Sequence, residues 1–256
     1  MLANLNALEE LDLRSTSVTD ISPLAELSTL RTLDLRGTVV NDVSALSNLR
    51  ALQNLNLRFT SVQDITPLSR LVELTFLDLR RAQVSDISPI SDLTNLQWLD
   101  LARTLVANIA PLAGLTLLRR LVLEATPIED IEPLGNLTDL QHLELSDTNV
   151  TRFAPLPSLT ALRYLDLSNT QFRDPYQLSF LKGLRHLDLY NTEVDYGIYF
   201  LSHLSALEYL DLRKTRIDHI GDLSGLRSLR HLRLSRAVPG LRSLQRETLE
   251  ISIDDD

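Results

Sequence analysis

The sequence predicts an α/β solenoid, right-handed and curved, with a parallel β-sheet on its concave face and 3₁₀ or short helical turns and loops on its convex face. Two observations carry that prediction. First, the pattern Leu-x-x-Leu-x-Leu begins at Leu8, Leu30, Leu52, Leu74, Leu96, Leu118, Leu140, Leu162, Leu184, Leu207 and Leu229, always 22 residues apart except for 23 between Leu184 and Leu207. A fixed period of that length is the mark of stacked units. Second, apolar residues make up 44% of the 256-residue chain and Leu dominates them, while aromatics are only 5%. One side chain repeated throughout a core implies one environment repeated along an array.

The elements follow from the repeat Leu8 to Thr29. Leu11 and Leu13 alternate with Glu10, Asp12 and Arg14, the period-2 pattern of a short strand buried on one face. Thr16, Val18 and Ile21 carry the chain through a turn with two apolar side chains inward. Ser22-Pro23 reads as a helix start, with Ser as the cap and Pro in the first helical position. Leu24, Leu27 and Leu30 then fall at a spacing of three, which lines one face of a 3₁₀ turn. One such unit has no core of its own and is covered only by its neighbours. The stacked strands therefore run parallel, about 4.8 Å apart. The array reads as a single domain over 1–256 of about eleven repeats, with a partial repeat at 1–7 and a closing strand at 248–253.

These residues resemble the 22-residue class of leucine-rich-repeat proteins, found in bacterial internalins and in phosphatase-regulating repeat proteins of eukaryotes. The element Asp20-Ile21-Ser22-Pro23-Leu24, repeated at 64–68 and 86–90, is closest to the internalin-like bacterial form. One departure is systematic. Where the family usually has Asn, this chain has Thr16, Thr38, Thr60, Thr104, Thr126, Thr148, Thr170, Thr192 and Thr215. A Thr hydroxyl can replace part of the hydrogen-bond ladder that Asn makes in that family. The Thr form is similar to repeats that accompany nucleotide-switch or signalling domains in large bacterial proteins.

The ends differ. Leu2, Leu5 and Leu8 match Leu24, Leu27 and Leu30, with no polar cap before the first strand. This predicts self-association or a further domain at the N-terminal edge. At the other end, Thr248 to Ile253 reads as a last strand, and Asp254, Asp255 and Asp256 supply charge against edge-to-edge pairing. From Arg173 to His203 the convex template degrades. Pro175 replaces an Ile, a residue is inserted near 195–197, and Phe172, Tyr176, Phe180, Tyr196, Tyr199 and Phe200 crowd in. This reads either as local repacking or as a second contact surface.

Composition excludes several functions. The net charge is −9, from 34 acidic and 25 basic residues, the wrong sign for duplex nucleic acid or an anionic membrane. With no cysteine, there are no disulfides, thiolate metal sites or cysteine nucleophiles. No phosphate loop, metalloprotease helix or Ser nucleophile elbow occurs. Asp12, Asp34, Asp78, Asp100, Glu144, Asp166, Asp188 and Asp211 share one strand position, interrupted by Asn56 and Val122. They are expected to form a ladder on a flat, wet sheet rather than an acid–base pair in a cleft. His142, His186 and His231 lie two rungs apart, roughly 9–10 Å, too far to share a metal. No enzyme, cofactor or metal is therefore expected. With no signal peptide in the chain, cytoplasmic placement is favoured.

What remains is a surface for a partner. One outward column holds Phe76, Trp98, Arg120, His142, Tyr164, His186, Tyr209 and His231, and a flanking column holds Arg14, Arg36, Arg58 and Arg80. Lateral packing with Asp–Arg neutralisation accounts for this at roughly 0.2–1 kcal/mol per contact. Trp, Tyr and Arg are also the residue types that anchor protein interfaces. The expectation is a non-catalytic protein-recognition module, the sensing or docking part of a larger bacterial protein, contacting its partner through Arg36, Arg58, Phe76, Arg80, Trp98, His142, Tyr164, His186, Tyr190 and Tyr209. The alternatives are a secreted internalin-like adhesion factor and a structural spacer without a ligand.

Overall fold

The computed structural model describes residues 7–244 and 248–254. Leu2 and Leu5 of the partial first repeat, and Asp255 and Asp256, lie outside them. The chain divides into two compact units, Met1–Ile128 and Glu129–Asp256. In the first, strands β1 (Glu10–Asp12), β2 (Thr32–Asp34), β3 (Asn54–Asn56), β4 (Phe76–Asp78), β5 (Trp98–Asp100) and β6 (Arg120–Val122) pair in chain order, all parallel. The second repeats this with β7 (His142–Glu144), β8 (Tyr164–Asp166), β9 (His186–Asp188), β10 (Tyr209–Asp211), β11 (His231–Leu234) and β12 (Glu250–Ile253). The register sets Leu against Leu from β1 through β6, as in Leu77↔Leu99↔Leu121. Each unit is a leucine-rich-repeat solenoid with one parallel sheet, in which a 3₁₀ turn leads into each strand from β2 to β11 and the short α-helix Leu241–Leu244 precedes β12. Among the described residues no helix is long and apolar enough to cross a membrane.

The core consists of Leu ladders. Leu33, Leu55, Leu77, Leu99 and Leu121 are shielded from solvent, as are the Leu two residues beyond each. In the first rung Leu8, Leu11, Leu13 and Val18 are only half-buried.

The turns correct the expected cap. Ile21, not Ser22, occupies the position before the 3₁₀ turn Ser22–Leu24, and it makes no side-chain cap bond. The side chain that holds the turn is Asp20, whose Oδ1 accepts from the Ser22 N–H at 2.8 Å. Asp42, Asp64, Asp86, Asn108 and Asp130 do the same one repeat after another. A carboxylate two residues upstream accepts this N–H with better reach than a hydroxyl inside the turn. These bonds, from Ser22 and Thr66, hold the Asp20 and Asp64 carboxyls below their ordinary range.

The Thr column closes its own turn. Each hydroxyl, as in Thr38, Thr60, Thr104 and Thr148, donates to the carbonyl three residues back at 2.6–2.7 Å. The link between rungs at this point is made by backbone instead. Ser15, Gly37, Phe59, Arg81 and Arg103 each donate their N–H to the next rung, at 2.7–2.9 Å. The residue that does so is left-handed: φ is 58° at Ser15, 68° at Gly37, 57° at Phe59, 59° at Arg81 and 57° at Arg103, and Ala125 shares the conformation at 52°. In the second unit Asp147, Asn169, Asn191 and Lys214 continue this column. A left-handed residue with a Cβ costs about 1–2 kcal/mol. Ala125→Gly should therefore raise the unfolding free energy by about 1 kcal/mol, and Gly37→Ala should lower it by a similar amount. Urea titration of the two variants checks both signs.

The expected closing strand begins later than Thr248, at Glu250. Asp254 is more than a repelling charge, since its carboxylate pairs with Arg213 at 3.2 Å and Arg233 at 2.7 Å. Between 173 and 203 the inserted residue is taken up by Gly197 at φ 71° and by a longer 3₁₀ segment, Ile198–His203. Phe172 is buried edge-on to Phe153, whereas Tyr176, Phe180, Tyr196 and Tyr199 are exposed.

Candidate functional site

In the first unit the outward column reads Thr32, Asn54, Phe76, Trp98 and Arg120 on β2 to β6. In-register pairing of β4 and β5 stacks the Phe76 and Trp98 rings at 4.1 Å and 10°. The Arg120 guanidinium lies 6.0 Å from the Trp98 ring. The small side chains before Phe76 leave a hollow of about 250 Å³, floored by Thr32, Leu33, Asn54 and Leu55 and walled by Phe76. Stacking covers one face of Phe76, and the hollow opens beside it.

The arginines do not neutralise the Asp ladder rung by rung. Arg14 pairs with Asp12 at 2.8 Å. Arg80 instead reaches Glu124 at 2.7 Å, and Arg103 meets the same carboxylate at 2.6 Å. Arg58 lies 4.9 Å from the Phe59 ring, with Arg81 at 5.2 Å from the same ring. Arg36 and Arg58 line a cleft of about 410 Å³ with Ser15, Gly37 and Phe59.

In the second unit the rings form a continuous stack. Successive centroids from His142 through Tyr164 and His186 to Tyr209 are 4.1, 4.3 and 4.2 Å apart, with interplanar angles of 8°, 10° and 2°. The four are half-buried and present edges to solvent. His142 is further tied to Glu144 at 2.5 Å. Tyr190 stands apart from this stack, between Arg213 at 5.1 Å and Lys214 at 5.4 Å. Of the expected contact residues, Phe76 joins Trp98, Arg36 joins Arg58, and His142, Tyr164, His186 and Tyr209 join one another.

Comparison with solved structures places the chain. An internalin of Listeria monocytogenes matches 97% of this chain and 81% of its own, with TM-score 0.86 and 29% identity. Internalin C2 of the same organism is 35% identical over 64% of this chain and 73% of its own, with TM-score 0.62. This chain is a leucine-rich-repeat protein of the internalin-like form. A leucine-rich-repeat protein of Leptospira interrogans, 24% identical, shares the fold over 98% of this chain and 68% of its own, with TM-score 0.90. No family model and no curated protein matches.

The electrostatics of this leucine-rich-repeat protein depart from a flat, wet ladder. Asp78, Asp100 and Asp211 are 4%, 5% and 0% exposed. Burial raises Asp78 and, in the second unit, the half-buried Asp188 from 3.8 to about 6. Asp166 is raised for the same reason, and the neighbouring carboxylates add to the effect. The ladder has a structural duty that its position alone does not reveal. The Oδ1 atoms of Asp34, Asp78, Asp100, Asp166, Asp188 and Asp211 each accept the N–H two residues on, at 2.8–3.0 Å. Asn56 accepts the Arg58 N–H in the same way, which is why Asn fits that rung. Burial also lowers His186, set between two tyrosine rings, from 6.5 to about 4. Among the described residues no three His, Asp or Glu side chains converge to hold a metal ion.

Proposed function

We propose that this leucine-rich-repeat protein is a non-catalytic protein-recognition module whose partner lies on the open face of the sheet and is anchored at Phe76 and Trp98. The observation that supports this most is the stacked Phe76–Trp98 pair beside a hollow of about 250 Å³ on the solvent side of the strands. A hollow with an aromatic wall accepts an apolar side chain and excludes water around it, the arrangement typical of interface anchors. Arg36 and Arg58 supply a basic margin, with Arg80 held in place by Glu124. The His142, Tyr164, His186 and Tyr209 edges, with Tyr190, form a second and flatter contact group.

Truncating an anchor costs at least about 2 kcal/mol, about thirtyfold in affinity. With a partner isolated by affinity capture, calorimetric titration of Trp98→Ala should show that loss, and Tyr209→Ala a loss of the same order. Each stack is itself part of the fold, so circular dichroism must first establish that the variants are folded. The exposed turn-side variants Glu26→Ala and Ser69→Ala should bind as the parent does. If instead Tyr176→Ala, Phe180→Ala or Tyr199→Ala abolishes binding and Trp98→Ala does not, the exposed turn-side aromatics are the contact surface and the reading fails.

A further inference from the structure

We propose that the cleft between Arg36 and Arg58, at the C-terminal rim of strands β1 to β3, is a receptor for an acidic side chain on an extended segment of a partner protein. Three features on different levels converge here. The left-handed column explains why the cleft exists. Ser15, Phe59, Arg81 and Arg103 each project a side chain from that column, whereas Gly37 projects none. The missing side chain opens the space lined by Ser15, Arg36, Gly37, Arg58 and Phe59, about 410 Å³.

Charge decides what fits. At the same strand position of the neighbouring rungs the cations are matched, Arg14 by Asp12 and Arg80 by Glu124. At the Arg58 rung the ladder holds Asn56 in place of a carboxylate. Asp34 spends its Oδ1 on the Arg36 N–H, and Asp78 feels Arg58 only through longer-range attraction. Neither Arg36 nor Arg58 forms an ion pair among the described residues. The chain carries nine net negative charges, so two unmatched guanidinium groups in one cleft run against its overall balance.

The third feature is a donor without an acceptor. Arg58 Nε is buried and has no hydrogen-bond partner, a state that costs about 1–3 kcal/mol or more for a charged group. The guanidinium is held over the Phe59 ring, with Arg81 on the same ring, so its plane is fixed before any ligand arrives. A planar carboxylate accepts from a fixed guanidinium fork through both oxygens. With Nε buried, a carboxylate in the cleft would meet the outer end of that guanidinium and neutralise the pair of arginines.

This inference rests on the sheet-face reading only in expecting the acidic segment to continue toward Phe76 and Trp98. The test uses hexaglutamate, hexaglutamine and inorganic phosphate as probes of the full chain, followed through the Arg58 Nε–H resonance by ¹⁵N NMR. Hexaglutamate should shift that resonance and hexaglutamine should not. Arg36→Gln and Arg58→Gln, the latter followed on neighbouring amides, should each weaken hexaglutamate by about tenfold or more. Gly37→Asn keeps a residue that tolerates the left-handed backbone while filling the cleft, and should weaken binding as well. Arg14→Gln, whose guanidinium is already paired, should change little. Equal binding of the two peptides, or no effect of the Arg36 and Arg58 variants, overturns the proposal. So does phosphate binding as tightly as hexaglutamate, which would make the cleft a site for free anions. Peptide binding that survives Trp98→Ala, alongside a partner indifferent to Trp98→Ala, would leave the cleft standing and sink the sheet-face reading alone.

Discussion

Leu99→Ala is expected to lower the unfolding free energy by about 2–5 kcal/mol in equilibrium urea denaturation. Leu99 is 0% exposed and stands in register between Leu77 and Leu121, which are equally buried. Its removal leaves a void walled by rungs that are fixed on both sides by parallel hydrogen bonds, so little collapse can offset the loss. Leu11→Ala should cost far less, because Leu11 is half-buried already. The neighbouring Asp100 gives a sharper contrast. An outward carboxylate on a wet sheet would be dispensable, but Asp100 is 5% exposed and accepts the Ala102 N–H at 2.8 Å. Asp100→Ala leaves that N–H without its acceptor, at about 1–3 kcal/mol, partly offset by relief of repulsion with Asp78. Asp100→Asn keeps an acceptor, as Asn56 does in its own rung, and should be tolerated. The expected order of loss is Leu99→Ala, then Asp100→Ala, then Asp100→Asn. Equal losses for Leu99→Ala and Leu11→Ala would contradict a fold held by its buried Leu ladders.

The strands, their parallel order and the Leu core were legible because alternation and the 22-residue period are direct images of pleat and stacking. The left-handed column was not. Ser15, Phe59, Arg81, Asp147 and Asn169 share no chemistry, because each donates its backbone N–H to the next rung whatever its side chain. Gly37, with Asn169 and Asn191, was the only residue-type signal of it. The ring column was readable as a column, yet period alone says nothing of ring planes. The faces of His186 are covered by Tyr164 and Tyr209, which leaves edges for a partner. The Arg80–Glu124 pair spans 44 positions in sequence, beyond any nearest-rung argument. Alternation assigned the Asp ladder to the solvent side correctly, yet Asp78, Asp100 and Asp211 are covered there while Asp12 is exposed, a difference between rungs that the pleat alone does not carry.

That covering gives the second large effect, and it depends on pH. Asp78→Asn with Asp188→Asn is expected to stabilise the protein by about 1–2 kcal/mol per site at pH 8 and by nothing at pH 3.5. Both carboxyls are raised from 3.8 to about 6, chiefly by burial, with Asp100 adding repulsion at Asp78, and Asp166 and Asp211 at Asp188. Between pH 4 and 6 the folded chain therefore holds protons that the unfolded chain has released. Stability from these groups is complete below about pH 4 and is lost as pH rises through 6. A full two-unit shift corresponds to nearly 3 kcal/mol, and solvent on the outer side screens part of it. Asn carries no charge yet still accepts the Arg80 and Tyr190 N–H groups that Asp78 and Asp188 now bind. His186 acts in the opposite direction. Its value is lowered to about 4, so its contribution is present above pH 6.5 and is lost as pH falls through 4. That contribution is common to parent and variant and cancels from their difference. Urea denaturation of both proteins from pH 3.5 to 8 measures the difference directly. A gap that opens between pH 4 and 7 is the expected result. A constant gap, or a variant less stable at pH 8, would mean that the buried carboxylates are stabilised by their hydrogen bonds more than burial opposes them.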